Sequence, residues 1–97
     1  MTNLEPSRPA TYIVSGGASR LGAAFVRRIS EGGNNVIIGD LDEAAGTEIA
    51  DEFDESVVFC RCDVRRDEDL ADLVLCASDA FGGLDGIVNN AVSYLDN

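Results

Sequence analysis

Thr11-Tyr12-Ile13-Val14-Ser15-Gly16-Gly17-Ala18-Ser19-Arg20-Leu21-Gly22 is the stretch that decides how this chain reads. An apolar, β-branched run ends in a glycine pair, and an amphipathic segment follows directly. The run suits a buried strand. The glycines suit a tight turn in which the backbone takes φ > 0 and comes close to a ligand. The segment after them suits a helix whose free amides and positive dipole end favour an anion. Strand, turn and helix in this order make a seat for a bulky phosphate, as in a dinucleotide. The strand is expected over residues 11–15 and the helix over 20–31. Leu21, Phe25 and Ile29 recur every four residues as one apolar stripe, with Ala24 beside it. Arg27 and Arg28 end the helix with favourable charge, and Gly32-Gly33 supplies the stop.

The rest of the chain repeats the alternation. Val36-Ile37-Ile38-Gly39 reads as a second strand, a continuous apolar run of the kind covered on both faces in a parallel sheet. Asp42 can cap a helix over about 43–53 that carries Ala45, Ile49 and Phe53. A third strand is expected from Val57 to Cys62. A third helix is expected over 67–81, with Leu70, Leu73, Val74, Ala77 and Phe81 as its stripe and Gly82-Gly83 at its end. A fourth strand lies within 84–89. Residues 1–10 hold both prolines and read as a loose lead-in. Residues 11–97 then form one α/β domain, a Rossmann-like parallel sheet truncated to about four strands in β-α-β-α-β-α-β order.

Composition narrows the function. A 97-residue chain is one small domain, burying only ~60–65% of its unfolded surface. Seven basic against eighteen acidic residues give a net charge of −11. Nucleic acid and anionic membranes both call for a basic face, so neither is expected as a partner. All seven basic residues are arginine, and there is no lysine or histidine. That removes a P-loop lysine, Schiff-base chemistry and a histidine base or metal ligand. Cys60, Cys62 and Cys76 are odd in number, and C-x-C is not a zinc pattern. Cys60 and Cys62 alternate in a strand and read as small apolar groups sharing one face. Free cysteines with no signal-type leader point to a reducing cytoplasm. No run approaches the ~20 apolar residues that span a bilayer.

Polar residues gather at the strand ends. The turn fits G-x-G-x-x-G from Gly17 with Ser19 in the middle glycine's place, or G-x-x-x-G-x-G from Gly16 with Arg20 there. Asp40 ends the second strand, 18 residues beyond Gly22. A carboxylate there can accept ribose hydroxyls and repel a 2′-phosphate, which favours NAD over NADP. Arg20 pulls the other way, since an arginine nearby could hold that phosphate. Asp63-Val64 follows the third strand and Asn89-Asn90-Ala91 the fourth, all on the edge where a ligand is expected.

Together these markers resemble the short-chain dehydrogenase/reductase family over about residues 11–92. The family turn T-G-x-x-x-G-x-G corresponds to Ser15-Gly16-Gly17-Ala18-Ser19-Arg20-Leu21-Gly22, its acidic residue to Asp40, its Asp-Val to Asp63-Val64 and its N-N-A-G to Asn89-Asn90-Ala91-Val92. The resemblance implies a cofactor site of Gly16, Ser19, Arg20, Leu21, Gly22, Asp40, Leu41, Asp63, Val64, Asn90 and Ala91, filled by NAD in preference to NADP. It implies hydride transfer between that cofactor and an alcohol or carbonyl substrate. Arg20 stands where the family has a glycine against the pyrophosphate, and Val92 replaces the last glycine. The family's catalytic serine and its Y-x-x-x-K tyrosine and lysine lie beyond the fourth strand. Tyr12 falls in the first strand, and Tyr94 is followed by only three residues, so no catalytic residue is assigned and the 97 residues alone are expected to be inactive. A homo-oligomer is expected, or pairing through the open edge of the fourth strand with its Ile87 and Val88. The competing reading is a truncated, non-catalytic dinucleotide-binding or interaction module.

Overall fold

The computed structural model describes residues 8–90. The elements are β1 (Thr11–Ser15), α1 (Arg20–Glu31), β2 (Asn35–Asp40), α2 (Glu43–Ala50), β3 (Val57–Arg61), α3 (Asp67–Phe81) and β4 (Gly86–Asn89). All pairings are parallel, in the order β3-β2-β1-β4. Parallel neighbours need a crossover, so each link carries a helix over one face of the sheet. The chain steps outward from β1 to β3, then passes back over β1 to reach β4. Right-handed crossovers therefore put α1 and α2 on one face and α3 on the other. This is the α/β, Rossmann-like sheet that the alternation predicts.

Two cores follow. Val14, Val36, Ile38 and Val57 meet Ala23 and Val26 of α1 and Ile49 of α2. On the opposite face Ile13, Ile37 and Cys62 meet Leu73 and Ala77 of α3. β2 lies between strands and between layers, so Val36–Gly39 are all buried. Among the described residues no helix is long and apolar enough to cross a membrane.

The expected stripe of α1 is corrected. Gly22, Ala23 and Val26 face the sheet, Ile29 packs at the margin, and Leu21 is 62% exposed and Phe25 38%. The cause is the turn. A Cβ at Gly22 would run into the Gly16 carbonyl and the Gly17 Cα, so the first turn of α1 lies directly on backbone and the helix sets its small residues inward. α2 also ends earlier than expected, at Ala50. Asp51, Glu52, Asp54 and Glu55 follow, and acids are unfavourable at a helix C-terminus. Phe53 sits in the ensuing turn, its amide donating to Ala50 O at 3.1 Å, and still reaches the core. β3 stops at Arg61, and the amide of buried Cys62 donates to Asp40 O at 3.0 Å.

On α3 only Leu73 and Ala77 of the expected stripe are fully buried. Leu70 and Val74 stay 39% and 45% exposed, since among the described residues no strand lies beyond β4 to cover them. They border a groove of about 520 Å³ with Ile13, Leu73, Ile87 and Asn89. Leu73→Ala is expected to cost about 2–5 kcal/mol, while Leu75→Ala, at a side chain 60% exposed, is expected within ~0.5 kcal/mol of wild type. Urea denaturation of the two variants checks which face of α3 is the core face.

Candidate functional site

β1 delivers the chain into the glycine turn. Gly16 takes φ +70°, a conformation that costs glycine little and other residues more. Its amide donates to Gly39 O at 2.6 Å, which holds the turn against the end of β2. Its carbonyl accepts from the Ser19 amide at 3.0 Å and the Ser19 hydroxyl at 2.8 Å. Ser19 caps α1: its Oγ accepts from Gly22 N at 3.0 Å and its carbonyl from Ala23 N at 2.7 Å. A helix leaves its first four amides without intrahelical partners. With Gly22 and Ala23 satisfied by Ser19, the amides of Arg20 and Leu21 are the donors left at this terminus among the described residues. The Arg20 side chain forms no hydrogen bond or ion pair among the described residues.

The exit of β4 is tied to the same turn. Asn90 N donates to Ser15 Oγ at 3.1 Å, and Asn90 Nδ2 reaches both Gly16 O and Ser19 Oγ at 3.1 Å. The Ser15 hydroxyl has Asn89 Oδ1 at 3.2 Å and Val88 O at 3.4 Å as acceptors. Asp40 closes the other side. Its Oδ2 accepts from Ala18 N at 3.0 Å and its Oδ1 from Asp42 N at 2.9 Å. Asp42 in turn caps α2 through Ala45 N at 3.0 Å. Leu41, between them, is 48% exposed.

After β3, Asp63 accepts from Arg65 Nε and Nη2, both at 2.9 Å, and from the Arg65 amide at 3.0 Å. These hydrogen bonds, the side-chain pair first, lower the Asp63 carboxyl to about 2. The Asp63 amide donates to Asp69 Oδ2 at 2.9 Å, which fastens the loop to the first turn of α3. Val64 packs against the α3-side core. Gly16, Ser19, Arg20, Leu21, Gly22, Asp40, Leu41, Asp63, Val64 and Asn90 thus all lie at the C-terminal ends of the strands or in the segments leaving them. Ala91, Val92 and Tyr94 lie outside the described residues. Arg65 and Asp69, which shape the Asp63 loop, were not singled out from the sequence. The only signals were an arginine two residues after Asp63 and an acid in the first turn of the next helix.

The short chain dehydrogenase family model matches residues 10–94. The chain belongs to the short-chain dehydrogenase family. It is 40% identical over 81 residues to 2,5-dichloro-2,5-cyclohexadiene-1,4-diol dehydrogenase of Sphingobium indicum, a match spanning 84% of this chain and 32% of that protein. It is 47% identical over 79 residues to L-fucose dehydrogenase of Bos taurus, spanning 81% and 29%. In structure it superposes on the 3-ketoacyl-(acyl-carrier-protein) reductase of Brucella melitensis, solved in complex with NADH. That match has a TM-score of 0.81 at 29% identity and covers 84% of this chain and 34% of the reductase. The chain therefore spans about a third of the length of the relatives it matches.

The Asp63–Arg65 pair sets a pH dependence. The folded carboxyl lies below its ordinary 3.8, so the stability it contributes is complete above that value and is lost as the pH falls towards 2. Arg65→Ala is expected to move the Asp63 midpoint up towards 3.8, read by NMR titration of its carboxyl carbon. An unmoved midpoint would remove the ion pair as the cause.

Proposed function

We propose that residues 11–97 are the NAD(H)-binding part of a short-chain dehydrogenase that moves hydride between nicotinamide and an alcohol or carbonyl substrate. The observation that carries this is the convergence of the glycine turn, Asp40, Asp63 and Asn90 at one edge of a parallel sheet. In such sheets ligands sit outside the carboxyl ends of the strands, where the strand order reverses. Here the order reverses between β1 and β4, and Asn90 bridges that point to Gly16 and Ser19.

The residues present fit a dinucleotide. The missing Cβ at Gly22 lets α1 start directly against the Gly16 carbonyl, which brings the helix N-terminus, with its Arg20 and Leu21 amides, up to the turn. We assign the pyrophosphate to Gly16, Ser19, Arg20, Leu21 and Gly22, with the Arg20 and Leu21 amides and the helix dipole opposing its charge. Asp40 and Leu41 take the adenosine ribose. Asp63 and Val64 take the adenine; an aspartate held ionised by Arg65 is a pure acceptor, suited to an exocyclic amine. Asn90 and Ala91 serve the nicotinamide end. When bound, the nicotinamide supplies the hydride chemistry, and this chain's residues hold and orient it. Asp40 repels a 2′-phosphate, and that charge outweighs Arg20 in our preference for NAD over NADP. No catalytic group is assigned among the 97 residues, which lack lysine and histidine altogether. The three free thiols suit a reducing cytoplasm. The edge of β4, with Ile87 59% exposed beside the groove, suits pairing with a second copy.

Asp40→Ala is expected to weaken NAD binding roughly tenfold or more, the loss of hydrogen bonds to a charged acceptor, and to narrow the gap between NAD and NADP. Calorimetric titration of both cofactors checks it, and unchanged discrimination would withdraw the role of Asp40. Self-pairing is expected to appear in sedimentation as species heavier than 10.3 kDa, and Ile87→Lys should shift them towards monomer. A wild-type chain that stays monomeric and melts cooperatively above ~50 °C, the mesophile range, would overturn it.

A further inference from the structure

Outside the strand-end site, the densest reactive chemistry is the seam between β3 and α3. All three cysteines lie there, against the core formed by Ile13, Ile37, Leu73 and Ala77. Cys62 is closed off at 1% exposure. Cys60 on β3 and Cys76 on α3 are both half-buried and free. Cys60 stands in register with Gly39 of β2, so the two share a face of the sheet. Gly39 lies directly under α3, where a Cβ would come within 2.7 Å of Leu73 Cδ1. Leu73 and Cys76 are three apart and occupy one side of the helix. The helix thus settles onto the sheet at a residue with no side chain and carries Cys76 over the adjacent strand. Ala77, fully buried, is a second small residue in the same seam. The thiols also act on each other: burial first, then the charge and hydrogen bonding of Cys76, push the Cys60 thiol up to about 12.

We infer that Cys60 and Cys76 are a dithiol modification site for a two-electron oxidant of the hydroperoxide class, which closes them into a disulfide joining α3 to β3. The inference stands apart from the cofactor reading. Cys76 makes the first attack and Cys60 resolves it. The Cys76 thiolate forms a sulfur–oxygen bond as the peroxide oxygen–oxygen bond breaks, and the released hydroxide takes up the Cys76 proton as water. Cys60 sulfur then attacks the sulfenic sulfur. The disulfide bond forms, the sulfur–oxygen bond breaks, and the leaving hydroxide takes the Cys60 proton as a second water. Two electrons pass from the two sulfurs to the peroxide. α3 carries Asp69, which holds the Asp63 amide, so the bond would fix the loop beside the strand-end site.

The test treats the reduced, folded chain with hydrogen peroxide, unfolds it in the presence of an alkylating agent, and maps the peptides without reduction. The expected result is a Cys60 peptide joined to a Cys76 peptide within one chain, with Cys62 alkylated. Cys62→Ala should keep the cross-link and Cys76→Ser should lose it. Peptide mapping of the wild-type chain decides the matter even if a variant does not fold. A Cys60–Cys62 link, an interchain link, or Cys76 over-oxidised beside an alkylated Cys60 would overturn the inference. So would a Cys60–Cys76 link formed equally well in urea.

Discussion

One oxygen, the carbonyl of Gly16, holds the strand-end site together. It accepts from the backbone and hydroxyl of Ser19 and from the side chain of Asn90. The first two contacts shape the glycine turn and cap α1. The third fastens the far strand, β4, to the same atom. The position that this oxygen blocks, the space where a side chain at Gly22 would stand, determines how closely α1 descends on the turn. From that approach follow the inward placement of Ala23 and Val26 and the outward placement of Leu21 and Phe25. A carbonyl with three donors is well satisfied, and all three bonds tie the turn to its own helix or to the exit of β4.

The element order and sheet class were legible because the signals are local. β-branched runs, glycine stops and the Asp42 cap each depend on a few adjacent residues, and the structure repeats them nearly position for position. Facing was less legible. A period of four at Leu21, Phe25 and Ile29 looks like a core stripe, yet the turn's backbone sits so close that only small residues fit beneath the helix. On α3 the pattern was half right, since Leu73 and Ala77 are buried while Leu70 and Val74 border a groove beyond which the described sheet has no further strand. Periodicity reports that a face is apolar. It does not report how far the neighbouring layer extends.

The strand-end residues were legible as a set because the alternation of a parallel sheet sends every strand's exit to one edge. Their partners were not. Asp40 bonds to Ala18 across 22 positions in the chain, and Asn90 to Gly16 across 74; no spacing rule anticipates such pairs. The Arg65 clamp on Asp63 is close in sequence, yet it needs the turn after β3, which brings both the Arg65 amide and its guanidinium onto one carboxylate.

α3 connects the parts of the molecule that remain least covered. Its first turn holds the Asp63 loop, its buried face meets Gly39 and the cysteine seam, and its Leu70 and Val74 wall the groove beside β4. Each of these contacts needs the helix at the same height above the sheet. Gly39 sets that height, because a side chain there would lift Leu73 and with it every contact that the helix makes. The missing Cβ at Gly39 thus does for α3 what the missing Cβ at Gly22 does for α1. On both faces a helix comes close where a glycine lacks a Cβ, at Gly22 in α1, at Gly46 in α2 and at Gly39 beneath α3; two of these lie beside assigned strand ends, Gly39 directly before Asp40 and Gly22 just after the turn that follows β1. Bulkier residues at Gly22 and Gly39 would keep the topology but hold α1 and α3 farther from the turn and the sheet, and the polar groups now gathered at one edge would no longer meet.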